Sequence, residues 1–184
     1  MRVAIVGAGI LGLATGWALV RGGHEPVLFD RGPIPNPHAS SLDRHRAIRV
    51  TYGAEHGYAA MALEAFAAWE RLWADLGTRH LVETGQLVLG PPDEPWIEAS
   101  LASLDRLGLT YEPLDRPTLA RRFPHVRIPA EHAAWFVPKA GALLADRICT
   151  DLARWLRGRG VELHEHTAVA ELLPERPAVR LADG

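Results

Sequence analysis

Arg2-Val3-Ala4-Ile5-Val6-Gly7-Ala8-Gly9-Ile10-Leu11-Gly12 is the stretch that decides the fold. Its first five residues are a short β-branched run. They read as a strand buried on both faces, as in a parallel sheet. Three glycines follow at the spacing G-x-G-x-x-G. The segment from Leu11 to Arg21 then reads as a helix, with Leu11, Ala14, Ala18 and Leu19 on its apolar side and Gly22-Gly23 at its end. In such a unit Gly7 permits the tight turn. Gly9 lets the backbone approach a pyrophosphate, and Gly12 lets helix and strand pack closely. The helix start offers unpaired N–H groups and partial positive charge to phosphates. Gly7, Ala8, Gly9, Ile10, Leu11 and Gly12 are therefore the candidate pyrophosphate-binding set, and Gly16 adds another small residue for packing on the sheet.

Working outward, Pro26-Val27-Leu28-Phe29 reads as the second strand, closing at Asp30, 18 residues past Gly12. A carboxylate there can accept hydrogen bonds from ribose hydroxyls and would repel a 2′-phosphate, which argues against NADP. Strand before, helix after and acid at the second strand's tip together indicate a dinucleotide site. They do not separate FAD from NAD, because both present an ADP moiety.

Composition bounds the rest. The chain has 184 residues, 48% of them hydrophobic, enough for a sizeable core. Lys and Arg total 20 against 22 Asp and Glu, a net charge of −2, which excludes a charge-driven nucleic-acid binder. The single cysteine, Cys149, excludes an internal disulfide and reads as a core thiol. No apolar run is long enough to span a bilayer and no leader-like segment is evident, so the expectation is a cytoplasmic protein without membrane contact.

Beyond Asp30, residues 31–45 read as loop. Arg44-His45-Arg46-Ala47-Ile48-Arg49 follows, and helical spacing would place Arg46 and Arg49 on one face. Residues 55–76 read as a long amphipathic helix, 82–89 as a strand with an internal glycine, 93–107 as a helix, 109–112 as a strand and 114–122 as a short helix. Trp135-Phe136-Val137 reads as a strand and Pro138-Lys139-Ala140-Gly141 as a turn. Ala145 to Arg157 reads as an amphipathic helix, 161–166 as a strand, and 168–172 with 178–181 as a hairpin. Leu181-Ala182-Asp183-Gly184 reads as a turn at which an element is cut off. His164 and His166 would share a strand face, but no third ligand accompanies them, so no metal site is expected.

Several blocks in order then carry a resemblance: the glycine motif with Asp30-Arg31, the run Ser40-Ser41 to Arg46 and Arg49, Thr84-Gly85-Gln86-Leu87, Phe136-Val137-Pro138-Lys139 and His166-Thr167-Ala168-Val169. The sequence resembles the FAD-dependent amine and amino-acid oxidoreductases of the D-amino-acid oxidase superfamily. It is most similar to the branch of monomeric sarcosine oxidase and N-methyltryptophan oxidase. The resemblance implies FAD as cofactor and an α/β fold: a doubly wound, Rossmann-like sheet of the glutathione-reductase type, with a partial α+β substrate-domain insertion. The FAD-binding domain would take residues 1–81 and, incompletely, 139–184; the substrate domain would take 82–138.

By the same resemblance Arg31 packs by the adenine, Ser40 and Ser41 lie along the pyrophosphate and flavin, and the Val169 backbone meets the adenine. Arg46 sits near the flavin ring, where it counts as both cofactor-binding and catalytic, and Arg49 helps to bind a substrate carboxylate. Leu42 and Asp43 depart from the branch's pattern, and His45 beside Arg46 becomes a candidate flavin-side base. The implied reaction is oxidation of an amine or an amino acid, N-methylated or not, at its C–N bond, with hydride passing to flavin N5 and dioxygen as acceptor giving hydrogen peroxide. The family is roughly twice this long, so the resemblance implies an N-terminal fragment that binds FAD weakly and needs a missing C-terminal half to complete the site. Two alternatives stand beside this reading: an NAD-dependent dehydrogenase on a plain Rossmann domain, and a non-catalytic FAD-binding module that works with a partner chain.

Overall fold

The computed structural model describes residues 1–173, 175–176 and 178–182. Along the chain run β1 (Arg2–Val6), α1 (Ile10–Arg21), β2 (Glu25–Phe29), β3 (Arg46–Ile48), α2 (His56–Leu76), β4 (Leu81–Val82), β5 (Gln86–Gly90), α3 (Pro95–Arg106), β6 (Glu112–Leu114), α4 (Arg116–Arg122), β7 (Ala133–Val137) and β8 (Gly141–Leu143). Then come α5 (Ala145–Arg157), β9 (Glu162–His164), β10 (Val169–Leu173) and β11 (Ala178–Leu181). Two compact units result: Met1–Arg46 with Leu144–Gly184, and Ala47–Leu143. The breaks fall after residues 46 and 143, whereas the sequence reading divides domains at 81 and 138. Helix α2 goes with the second unit because it packs on α3 there.

The first unit is built on a parallel sheet of order β1-β2-β9. Ala4 pairs with Val27, and Leu28 with Leu163. Central β2 buries Pro26, Val27 and Leu28 and delivers Asp30 at its tip. Helix α1 packs on β2 and alongside α5. Its buried residues are Leu13 and Gly16, while Leu11 is 83% exposed. The apolar side expected through Leu11 and Ala18 is thus corrected. Gly16 lies on the packing face: a Cβ there would lie 3.3 Å from Leu28 and 3.4 Å from Leu156, a tight fit that the two leucine methyls would have to yield to. The expectation for β1 is corrected as well. Ile5 is buried, but Val6 is 54% exposed, because among the described residues β1 is an edge strand with one open face.

Helix α5 buries Ile148, Leu152 and Leu156 at four-residue spacing. Leu156 is fully buried. Leu156→Ala is expected to cost about 3–5 kcal/mol, measured as the shift of the urea unfolding transition, because the cavity opens between two packed helices that cannot collapse. After β9, the hairpin β10–β11 forms as expected, with Leu172 opposite Val179 and an irregularity between Val169 and Glu171. Of the expected turn at its end, Asp183 and Gly184 lie outside the described residues.

The second unit holds two small sheets, of order β3-β8-β4 and β5-β7-β6. The strand expected over 82–89 is in fact two. β4 pairs with β8, and β5 pairs antiparallel with β7. Gly85 separates them at φ +66°, and a Cβ there would meet the Phe136 ring at 2.3 Å. The strand expected near 109–112 lies at Glu112–Leu114, and Gly141, expected in a turn, opens β8. Asp115 caps α4 by accepting the Thr118 N–H at 2.7 Å. Among the described residues no helix is long and apolar enough to cross a membrane.

Candidate dinucleotide-binding site

The turn between β1 and α1 is shaped by two glycines. Gly7 takes φ +94°, open to glycine at no steric cost, and its N–H donates to the Phe29 carbonyl at 2.8 Å. A Cβ on Gly12 would stand 1.9 Å from the Gly7 carbonyl oxygen, so the helix passes its own turn at the closest approach a backbone permits. No acidic side chain sits in the first turn of α1 itself.

Asp30 locks the second strand's tip to this turn. Its Oδ2 accepts the Ala8 N–H at 2.9 Å; its Oδ1 accepts the Gly32 N–H at 2.9 Å and an Asn36 Nδ2–H at 2.8 Å. Burial works to raise the carboxyl. The N–H groups of Ala8 and Gly32, the Asn36 amide and the Arg31 charge outweigh it and hold Asp30 below the ordinary carboxylate value. Asp30 is thus an anion fixed in place, 8% exposed.

Beside it opens a cleft of about 300 Å³ lined by Gly7, Asp30, Arg31, Asn36, Thr167 and Val169, among others. Its floor is tied to the loop after β9: the Thr167 N–H donates to the Asp30 carbonyl at 2.7 Å and the His166 N–H to Gly32 at 2.9 Å. Glu165 accepts the Ile34 N–H at 2.6 Å and pairs with Arg157 at 3.2 Å.

The expected cofactor residues sort accordingly. Gly7, Asp30, Arg31 and Val169 line one cleft, and Ala8 is buried behind it. Gly9, Ile10 and Ser41 form a separate corner. The Ile10 N–H donates to Ser41 Oγ at 3.0 Å, and a Cβ on Gly9 would stand 3.1 Å from that same oxygen. The bare side of Gly9 therefore makes room for Ser41. Cys149, 2% exposed, also hydrogen-bonds Ser41. Burial pushes its thiol up, the Ser41 bond opposes this and Asp146 adds to it. Leu11, Ser40 and His45 are exposed. Arg46 donates to the Ser40 carbonyl and approaches Asp43 at 3.5 Å.

The helical repeat expected to join Arg46 and Arg49 is absent. Arg46–Ile48 is a strand, where successive side chains alternate, so a three-residue spacing does not define one face. Arg46 closes the first unit, and Arg49 belongs to the second, its guanidinium 5.3 Å from the Tyr52 ring centre. The shared strand face of His164 and His166 is also corrected. β9 ends at His164, which stacks on Phe29 at 4.9 Å, and His166 follows in a turn at φ +53°. Among the described residues no group of three or more His, Cys, Asp or Glu is disposed to hold a metal.

Asn36 escapes the sequence reading. Its signal was available: an asparagine between Pro35 and Pro37, six residues past the acid, is a turn residue whose amide can reach back to the strand end.

Comparison with known proteins places this geometry. The family described as DAO, FAD dependent oxidoreductase, matches residues 2–183. The chain belongs to this family. Membership decides between the two dinucleotides in favour of FAD. Monomeric sarcosine oxidase of Bacillus sp. (strain B-0618) is 27% identical over 99% of this chain and 47% of its own length. N-methyl-L-tryptophan oxidase of Salmonella arizonae is 30% identical over 85% of this chain and 42% of its own. The structure of NikD, an unusual amino acid oxidase essential for nikkomycin biosynthesis, superposes with a TM-score of 0.84 at 26% identity, covering 97% of this chain and 46% of that one. The chain thus spans under half the length of these relatives.

Proposed function

We propose that the first unit seats the ADP half of FAD in the Asp30 cleft, as part of an enzyme that oxidises the C–N bond of an amine or an amino acid, N-methylated or not. The observation that carries the reading is the Asp30 carboxylate, pinned by the Ala8 N–H against the glycine turn. Family membership and the oxidase relatives support it. FAD, when bound, supplies the two-electron acceptor for that oxidation, with dioxygen as the final acceptor.

The chain's own residues bind and orient. The positive end of α1 serves the pyrophosphate, beside Ser40 and Ser41. Asp30 serves the ribose, and Arg31 and the Val169 backbone serve the adenine. Arg46 and His45 are assigned to the flavin side, His45 as a candidate proton acceptor. Arg49 is assigned to a substrate carboxylate, for which a guanidinium fork is suited in shape and permanent charge. In the relatives more than half of the polypeptide lies outside the matched stretch. We assign completion of the isoalloxazine pocket to that part. A cytoplasmic site of action suits the lone buried thiol of Cys149.

Titration of the purified chain with FAD, followed by flavin fluorescence and competed with ADP, is the direct test. Saturable binding released by ADP is expected; no binding of either ligand would overturn the reading. In the native enzyme that carries this chain, Arg49→Ala is expected to raise KM about tenfold for carboxylate substrates and to leave it unchanged for neutral amines. Equal effects on both would remove Arg49 from that role.

A further inference from the structure

We infer that Asn36 is a positioning residue for the ribose of the bound dinucleotide: it holds the Asp30 carboxylate so that one acceptor position remains, on Oδ2, and the acid engages a single ribose hydroxyl. The inference rests on the reading of the cleft as an ADP site and deepens it.

The count of acceptor positions carries it. A carboxylate offers about four, two on each oxygen. Oδ1 spends both, on the Gly32 N–H at 2.9 Å and Asn36 Nδ2–H at 2.8 Å. Oδ2 spends one, on the Ala8 N–H at 2.9 Å. One position is left. Were Asn36 absent, Oδ1 would regain a position, and the carboxylate could meet two vicinal hydroxyls with one oxygen each.

Asn36 is held in this role from both ends. Its side-chain oxygen accepts the His38 N–H at 2.9 Å while its nitrogen donates to Asp30. Turning the amide over would set oxygen against carboxylate and NH₂ against N–H, so its orientation is determined by its partners. Its own carbonyl accepts the Ala39 N–H at 3.0 Å. The amide lies over Gly32, where a Cβ would come within 2.6 Å of Nδ2. Asn36 is 8% exposed, so water competes little for these bonds, and it lines the same cleft as Asp30.

The test is a ligand series on the purified chain: ADP, 2′-deoxy-ADP, 3′-deoxy-ADP and 2′,3′-dideoxy-ADP, with affinities measured by calorimetry. For the unaltered chain one monodeoxy analogue should bind about tenfold more weakly than ADP and the other within about twofold. The dideoxy analogue should be no worse than the weaker of the two. Equal losses with both monodeoxy analogues, or losses that add in the dideoxy analogue, would overturn the inference without touching the ADP reading. Failure to bind ADP at all would overturn the ADP reading and the inference with it.

Asn36→Asp keeps the side-chain shape and the acceptor for His38 but sets an acceptor against Oδ1. It should weaken ADP by tenfold or more and bring ADP and its dideoxy analogue to the same affinity. Asn36→Leu, which removes the donor without adding charge and frees a position on Oδ1, should make both monodeoxy analogues bind more weakly than ADP, with losses that add in the dideoxy analogue. A variant that weakens ADP and the dideoxy analogue by one common factor would show a merely structural role. Should either variant fail to fold, the series on the unaltered chain still decides.

Discussion

Gly12→Ala is expected to abolish the dinucleotide site and to destabilise the first unit by at least about 3–4 kcal/mol, or to prevent its folding. The added carbon would begin 1.9 Å from the Gly7 carbonyl oxygen and 3.0 Å from its carbon. Ordinary contact between heavy atoms lies near 3.5 Å, so the overlap exceeds an ångström. Both atoms it meets are backbone, and no rotamer change relieves them. The turn cannot retreat either, because the Gly7 N–H is bonded to Phe29 and the Ala8 N–H to Asp30. The helix must therefore lift from the turn, and the alignment of its first N–H groups is lost. Urea denaturation and ADP titration measure the two effects. Gly57→Ala in α2, where an added Cβ would have nothing within 4 Å, is the matched control and should change stability by less than about 1 kcal/mol. Equal stability of the two variants would show that the first turn is free to rearrange.

Asp30→Ala carries the second large effect. It strips the acceptor from the backbone N–H groups of Ala8 and Gly32 and from the Asn36 amide. Bonds to a charged acceptor are worth about 1.5–3 kcal/mol each, but the freed donors recover part of this from water entering the space. A net cost of about 3–5 kcal/mol is expected, with loss of ADP binding. The pH dependence follows from the direction of the shift. The folded carboxyl lies below its ordinary value of 3.8, so the unfolded chain binds more protons in the window beneath that value, and stability rises with pH there. The contribution is complete above the ordinary value and fades as pH falls through the lower, folded one. The stability difference between the native chain and Asp30→Asn should thus be flat from neutrality to about pH 5 and shrink in stronger acid. A difference that stayed constant into strong acid would mean that the carboxylate gains nothing from its three donors.

The glycine turn, α1, β2 and Asp30 were legible because local physics dictates them: β-branched residues, three glycines at fixed spacing and an acid at a strand tip. Helices α2 and α5 were legible from their apolar periodicity. Long-range packing hid the rest. Nothing in Leu11 or Leu13 says which faces the sheet; the packing of α1 on β2 and alongside α5 decides it. The run Arg46 to Arg49 fits a helical repeat by spacing alone, yet Ala47 and Ile48 are drawn into strand pairing with residues almost a hundred positions away. The strand over 82–89 broke at Gly85 because its two halves pair with different partners. Within the site the ribose acid was foreseen, but its clamp was not, since Asn36 reaches Asp30 across a loop that sequence shows only as turn-forming residues.

The sheet of the first unit joins Val27 to Glu162, and the start of α1 is capped by Ser41 rather than by a neighbour. During synthesis β1, α1 and β2 therefore emerge well before the segment that covers them. At about 5–20 residues per second, the roughly 130 residues between β2 and β9 take about ten seconds to appear. In that interval the side of α1 that α5 later covers and the edge of β2 that β9 later pairs stand bare. Slower translation would lengthen that wait.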